Sequence, residues 1–232
     1  ERLPNTLLLM GSATALSFGL GSALGIVAGA KPGSFRDRFL SVVSLALYAV
    51  PSFWLGLVLI VIFAVRLRWL PIGGIETIAS ANTGVAHAAD IGAHLVLPVA
   101  ALGFIYLALY LRMMRAGMAE AWRMDFILAA RARGLSRRRI VVAHVARNAL
   151  LPLITMLGLQ SAEMLGGSVV IESVFSVPGL GRLAQEAVTA RDTPLLLGII
   201  LASAVMVVLV NLAVDIAYAL LDPRVGAGEA LA

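Results

Sequence analysis

Two acidic residues, Glu163 and Asp215, lie inside long apolar segments of this 232-residue chain. Apolar segments of this length are typical of membrane-spanning helices. Inserting an acidic side chain at the centre of a membrane costs about 2.5–3.5 kcal/mol, so Glu163 is expected to face a bundle interior or a watery cavity. There it would line a solute path or pair with a neighbouring helix or subunit. Asp215 lies near a predicted membrane boundary, which favours a solvated or capping acid over a proton relay.

Catalytic and metal-binding patterns are absent from the sequence. The single lysine, Lys31, follows Ala30, so there is no Gly-Lys-Ser/Thr loop to hold nucleotide phosphates. Neither His-Glu-x-x-His nor Gly-x-Ser-x-Gly occurs. His87 and His94 lack a third ligand, and there is no cysteine, so no metal site, disulfide or thiol chemistry is expected. The sequence predicts a non-enzymatic chain without a cofactor of its own.

The composition indicates an integral membrane protein. Hydrophobic residues make up 60% of the chain and charged residues 13%, against about 25% charged in ordinary soluble domains. The net charge of +5 would suit nucleic acid, but the arginines cluster between apolar segments, so a lipid bilayer is the expected partner and nucleic acid is not.

Five apolar segments predict five transmembrane helices in an all-α, polytopic bundle over residues 1–222. Their approximate bounds are 7–30, 39–65, 91–111, 148–171 and 193–221. Each has the roughly 20 residues that a bilayer-spanning helix needs. Pro51, near the middle of the second segment, predicts a bend, which either serves packing or lines a translocation path.

Basic residues predict the orientation of these helices. Nine arginines lie between residues 112 and 147, against the two acids Glu120 and Asp125. Arginine excess marks the cytoplasmic side of bacterial inner-membrane proteins. Residues 112–147 are therefore a predicted cytoplasmic loop and 172–192 an outward loop. The start of the chain is placed outside, and the short tail at 223–232 is placed in the cytoplasm.

Within the arginine-rich loop, residues 125–135 predict a short helix that Gly134 ends, and Ser136 can cap the next helix. A short helix parallel to the bilayer, with small residues on its surface, is typical of a docking element for a soluble partner. Ala129, Ala130 and Gly134 resemble the cytoplasmic loop of permease subunits of binding-protein-dependent ABC importers. The resemblance is closest to the dipeptide, oligopeptide and nickel branch.

Two departures from the general family pattern fit that branch. Leu128 stands where the general pattern has a Glu, and Leu151-Pro152 lies further from Gly134 than usual. A more specific resemblance lies in the outward loop, where the family has a Gly-Gly, Glu, Phe, Pro-Gly-Leu-Gly order. This chain matches it at Gly166-Gly167, Glu172, Phe175 and 178–181. Residues 183–191 then predict a short amphipathic helix, and Asp192-Thr193-Pro194 predicts the start of the last helix.

The resemblance implies a type I importer transmembrane subunit in the bacterial inner membrane. Its expected partners are ABC ATPase subunits that carry ATP and magnesium, an identical or different sister permease, and an extracytoplasmic solute-binding protein. The implied ATPase-coupling residues are Asp125, Phe126, Ala129, Ala130, Arg131, Ala132 and Gly134. Residues expected at the translocation path or outer loop are Glu163, Glu172, Phe175, Pro178, Gly179 and Gly181.

Solutes of the resembled branch are dipeptides, oligopeptides and nickel chelates. Its members have one further helix before this region, so the full-length subunit is expected to have six spans. The alternative function is a self-sufficient secondary carrier or channel that uses Glu163 and Asp215. The cytoplasmic loop discriminates between the two, since a proton-coupled carrier needs no docking helix.

Overall fold

The computed structural model describes residues 2–77 and 83–221, and its regular elements there are all helical. π-helical turns at Ile60–Arg66 and Ile140–Val145 extend α3 and join α6 to α7. The predicted tail at 223–232 lies outside the described residues. The helices are α1 (Leu3–Gly29), α2 (Phe35–Ala49), α3 (Ser52–Leu59), α4 (Val85–Ala121), α5 (Phe126–Ala132), α6 (Arg137–Arg139), α7 (Ala146–Val174), α8 (Leu180–Ala190) and α9 (Thr193–Leu221).

Among residues 2–77 and 83–221, four helices are long and apolar enough to cross a membrane: Leu3–Gly29, Val85–Ala121, Arg137–Val174 and Thr193–Ile216. They correspond to four of the five predicted spans. Helix α4 has 37 residues, about 55 Å at 1.5 Å per residue, so it outruns a hydrocarbon core of about 30 Å. The arginine-rich segment at 112–147 is therefore helical at both of its own ends, in the last turns of α4 and from α6 onward. Arginine is a good helix former, and its long side chain reaches the headgroups.

The second predicted span is broken rather than bent. The helices Phe35–Ala49 and Ser52–Arg66 meet at 99°. Val50 is extended, with φ −85° and ψ 126°, and Pro51 follows it. The proline ring disfavours helical geometry at the preceding residue, and proline has no N–H to donate, so the helix ends here.

Glycines in α1 allow it to lie closely against α4, and this is the most extensive helix pair of the bundle. A Cβ placed at Gly25 would lie 2.5 Å from the Met114 Cβ, and one at Gly21 would lie 2.8 Å from the Tyr110 Cβ. Gly29 meets Met118 in the same way. Small residues at four-residue spacing form such a close-packing stripe in lipid.

The buried side chains form two clusters along the bundle. The Phe175 core joins α1, α4 and α7 near the loop after α7, and includes Leu9, Leu102 and Met164. The Ile127 core joins α4, α5 and the α6–α7 helix on the arginine-rich side. The side chain of Tyr106 packs against both clusters, so it lies between them at mid-depth of the bundle.

The predicted helix boundaries around α5 and α9 are confirmed. Gly134 has φ +70°, and the Leu135 N–H donates to the Ala130 carbonyl at 3.2 Å, a left-handed glycine termination. The Ser136 hydroxyl accepts from the Arg139 N–H and caps α6. An Asp192 carboxylate oxygen accepts from the Leu195 N–H at 3.0 Å at the start of α9.

Candidate coupling and transport sites

Helix α5 has one buried side and one exposed side. Ile127 and Ala130, one turn apart, are 4% and 5% exposed and belong to the Ile127 core. Leu128 is 77% exposed, and Ala129 and Ala132 are exposed beside it. The helix thus binds the bundle through one stripe and presents short side chains on the opposite side.

The predicted coupling residues therefore divide into two groups. Ala130 is turned into this chain's own core, and Phe126 is half-buried against the His144 ring at 6.5 Å between centroids. Ala129 and Ala132 are the two predicted coupling residues with small apolar side chains on the exposed side of α5. The exposed predicted residues are Asp125, Ala129, Arg131, Ala132 and Gly134.

The segment around α5 is tied to the end of α1. The Trp122 indole N–H donates to the Gly29 carbonyl at 2.9 Å, and the Arg137 guanidinium donates to the Ala30 carbonyl at 2.9 Å. The Arg137 guanidinium also lies 5.3 Å from the centre of the Trp122 ring. These bonds occupy carbonyls that the end of a helix leaves without partners. No motif in the sequence pointed to these anchors.

A second tie connects α2 with α4. The Arg115 guanidinium is paired with the buried Asp37 carboxylate, which also accepts from the Gly33 N–H at 2.8 Å. One turn away, the Arg112 guanidinium lies 4.4 Å over the Tyr48 ring. Two arginines of the predicted cytoplasmic loop therefore hold α2 against α4.

At the other end of the bundle, Glu172 is fully buried and organises the loop after α7. Its carboxylate accepts from the Thr6 hydroxyl at 2.7 Å and from the Arg182 N–H at 3.0 Å. The Thr6 hydroxyl in turn accepts from the Leu180 N–H at 2.8 Å. The start of α8 is thus fixed to the start of α1, and we call these bonds the Glu172 latch.

The two glycines of the loop motif allow the latch to form. A Cβ at Gly179 would lie 2.3 Å from the Glu172 carboxyl group, and one at Gly181 would lie 2.6 Å from the Val169 Cα. The Pro178 carbonyl accepts a hydrogen bond from the Asn5 side-chain amide at 2.9 Å. The motif that the sequence singled out is therefore one packed unit.

Phe175 joins this unit to the loop after α3. Its side chain is 1% exposed, and its carbonyl accepts from the Gly74 N–H at 2.8 Å. A Cβ at Gly73 would lie 2.3 Å from the same carbonyl oxygen, so only glycine allows this approach. The turn predicted at Pro71-Gly73-Gly74 therefore has a tertiary role that local sequence did not reveal.

The two acids in apolar segments both lie on exposed faces. Glu163 is exposed on α7, so the prediction that it faces the interior is wrong for this chain's own bundle, while a watery cavity or a neighbouring subunit stays a prediction. Asp215 is exposed near the end of α9. Within the described residues neither acid lies in an ion pair with this chain. A carboxylate on a membrane-spanning helix that its own chain leaves uncovered must meet water or another subunit.

The model of one protein family matches residues 21–227, and that family is described as "Binding-protein-dependent transport system inner membrane component". The chain belongs to this family. Oligopeptide transport system permease protein AppB of Bacillus subtilis is 41% identical over 224 residues, which are 97% of this chain and 70% of that protein. Di/tripeptide transport system permease protein DppB of Pseudomonas aeruginosa is 40% identical over 238 residues, covering 96% of this chain and 70% of that protein.

Solved structures share the fold. A structure of the MetNI methionine ABC transporter in an inward-facing conformation superposes with a TM-score of 0.74 at 17% identity, over 95% of this chain and 94% of that chain. An amino acid ABC transporter gives a TM-score of 0.65 at 18% identity, over 94% and 91% of the two chains. The chain therefore has the type I importer transmembrane fold. Its family and its two permease relatives make it an inner-membrane permease subunit. These relatives support that function over a self-sufficient carrier.

Proposed function

We propose that this chain is the permease subunit of a peptide importer, which moves dipeptides or oligopeptides inward at the expense of ATP hydrolysed on separate subunits. The two relatives described above are named for oligopeptide and di/tripeptide transport, which supports the solute class. The observation that carries the mechanism is that α5 is buried on one side and exposed on the other. This helix packs on the bundle through Ile127 and Ala130 and leaves Ala129 and Ala132 exposed, so that side is free to contact a partner protein.

ATPase docking at the exposed stripe of α5 follows from its shape. Alanine side chains leave room for another protein to approach the helix backbone, and the 77% exposed Leu128 adds apolar surface that such a contact would bury. Movement of α5 would reach α4 and α7 through the Ile127 core, and α1 through the bonds of Trp122 and Arg137. ATP and magnesium would be bound by the partner.

The orientation follows from charge. Nine arginines surround α5 between residues 112 and 147, so this end is assigned to the cytoplasm. The start of this chain, the Glu172 latch and α8 then lie outside, and the C-terminus lies in the cytoplasm. On the outer side α8 would meet the solute-binding protein. A sister permease would complete the path along the uncovered faces of the bundle.

Substitutions on the exposed stripe test the docking assignment. In the complete transporter, Ala129→Trp and Ala132→Trp are expected to reduce ATPase co-purification and peptide uptake by about tenfold or more, because the indole fills the docking space. Insertion of the chain should be unchanged. Ala86→Trp is the matched control, since Ala86 is equally an exposed helical alanine but lies at the start of α4, at the other end of the bundle. Undiminished ATPase binding by both stripe variants would contradict the assignment.

The solute class is tested by uptake of radiolabelled alanyl-phenylalanine into proteoliposomes that contain the whole transporter and its binding protein. ATP-dependent accumulation of the dipeptide is expected. Accumulation of a nickel chelate without the dipeptide would contradict the peptide assignment, and accumulation without ATPase subunits would contradict the importer mechanism itself.

A further inference from the structure

A polar surface lies on the exposed side of α7, beside the contact between α7 and α4. Glu163 is exposed on α7, and Gly167 follows one turn later on the same side. A Cβ at Gly167 would lie 3.6 Å from the Tyr106 hydroxyl of α4. The Tyr106 hydroxyl therefore lies beside Gly167, one helical turn from Glu163, and the glycine leaves space there.

The depth of this surface is set by Tyr106. Its half-buried side chain packs against both the Phe175 core and the Ile127 core, which places it midway along the bundle. The Glu163 carboxylate and the Tyr48 hydroxyl both lie within electrostatic range of the Tyr106 hydroxyl. Arg112 already covers the Tyr48 ring. The groups left for a ligand are therefore Glu163 and Tyr106, which we call the Glu163 strip.

The charge of Glu163 is unbalanced within its own chain. No Lys, Arg or His of the described residues forms an ion pair with it. Lipid chains cannot solvate a carboxylate at this depth, so the compensating group comes from outside the chain. Transport proteins bind their solutes near the bilayer midplane, in cavities between helices.

We propose that the Glu163 strip binds the primary ammonium group of the solute as it passes, with Glu163 as counter-ion and the Tyr106 hydroxyl as hydrogen-bond acceptor. An ammonium has three donors, which suits one carboxylate and one phenol. A divalent metal needs a larger ligand set, and the described part of the chain contains no group of three His, Cys, Asp or Glu residues that could hold one. This inference rests on the proposed function, because the N-terminus of a peptide supplies the ammonium.

The test uses charge restoration in the complete transporter, in proteoliposomes with radiolabelled alanyl-phenylalanine as the probe. The sequence contains no cysteine. Once reactive cysteines are removed from the other subunits, the thiol introduced by Glu163→Cys is the one that a thiol reagent labels. Glu163→Gln and Glu163→Cys are each expected to lower uptake by about tenfold or more, since a charged hydrogen-bonded contact is lost. A methanethiosulfonate carrying a sulfonate should restore at least half of the uptake by Glu163→Cys, and one carrying a trimethylammonium group should not.

Two controls make the result specific. Glu76→Gln removes an exposed carboxylate from the loop after α3, where Glu76 lies 3.5 Å from the His87 ring, and should leave uptake within about twofold of the wild type. Tyr106→Phe keeps the ring and removes the hydroxyl. It should lower uptake by about tenfold or more, because the hydrogen bond that is lost has a charged donor, the ammonium.

The outcomes separate this inference from the proposed function. Normal uptake by Glu163→Gln, or equal recovery with both reagents, overturns the inference while peptide import stands. Loss of the sister permease from the Glu163→Gln complex also overturns it, because Glu163 would then be an intersubunit contact. If the wild type takes up no dipeptide, the proposed function fails and this inference fails with it.

Discussion

The Glu172 latch depends on one hydroxyl group that has two partners. The Thr6 hydroxyl donates to the Glu172 carboxylate at 2.7 Å and accepts from the Leu180 N–H at 2.8 Å. Thr6→Val keeps the shape of the side chain and removes both bonds. A hydrogen bond to a charged group contributes about 1.5–3 kcal/mol, and an unsatisfied buried N–H costs about 1–3 kcal/mol. Because the two bonds share one group, we take about 3 kcal/mol for the pair.

That loss should appear as local opening rather than global unfolding. At 1.4 kcal/mol per factor of ten, about 3 kcal/mol corresponds to roughly 100-fold more frequent opening of the loop after α7. Amide hydrogen exchange measures such openings directly. In the purified transporter, the Leu180 and Arg182 amides of Thr6→Val are expected to exchange roughly 100-fold faster than in the wild type, while amides in the middle of α4 keep their rates.

Two variants control this experiment. Thr6→Ser retains the hydroxyl and should exchange within a few-fold of the wild type. Thr14→Val makes the same substitution on the same helix, where the hydroxyl donates to the Met164 sulfur at 3.3 Å, and should leave the loop unchanged. Leu180 exchange in Thr6→Val within about threefold of the wild type would refute the reasoning, because the latch would then contribute little to holding the loop.

Two further predictions concern the other long-range contacts. Trp122→Phe keeps an aromatic ring but loses the 2.9 Å bond to the Gly29 carbonyl, so the detergent-purified subunit should lose about 1 kcal/mol of stability, seen as a lower melting temperature; an unchanged melting temperature would show that this bond is dispensable. Gly73→Ala places a Cβ 2.3 Å from the Phe175 carbonyl oxygen, a backbone atom that no rotamer change can move, so the yield of folded subunit should fall sharply in size-exclusion chromatography. Gly92→Ala, where no atom lies within 4 Å of the new Cβ, is its matched control and should behave as the wild type.

Much of the architecture could be predicted from the sequence because it depends on signals of short range. Apolar length predicted the helices that cross the membrane, and Gly134 and Ser136 predicted the two helix boundaries beside α5. Pro51 predicted the position of a bend, but the full break between α2 and α3 was not predicted. Each of these depends on backbone geometry within a few residues of the signal. The extension of α4 beyond its uncharged stretch was not predicted, since charge does not stop a helix.

The sequence by itself determined that the chain is an α-helical membrane protein with an arginine-rich face and a family motif in the loop after α7. Only the tertiary structure decided which side of α5 is free, separating Ala129 from Ala130, and which acid is buried, separating Glu172 from Glu163. The reason is physical: Thr6 and Glu172 are 166 residues apart, and no local pattern encodes that they meet. Burial depends on which helices pack together, so it is a property of the assembled bundle.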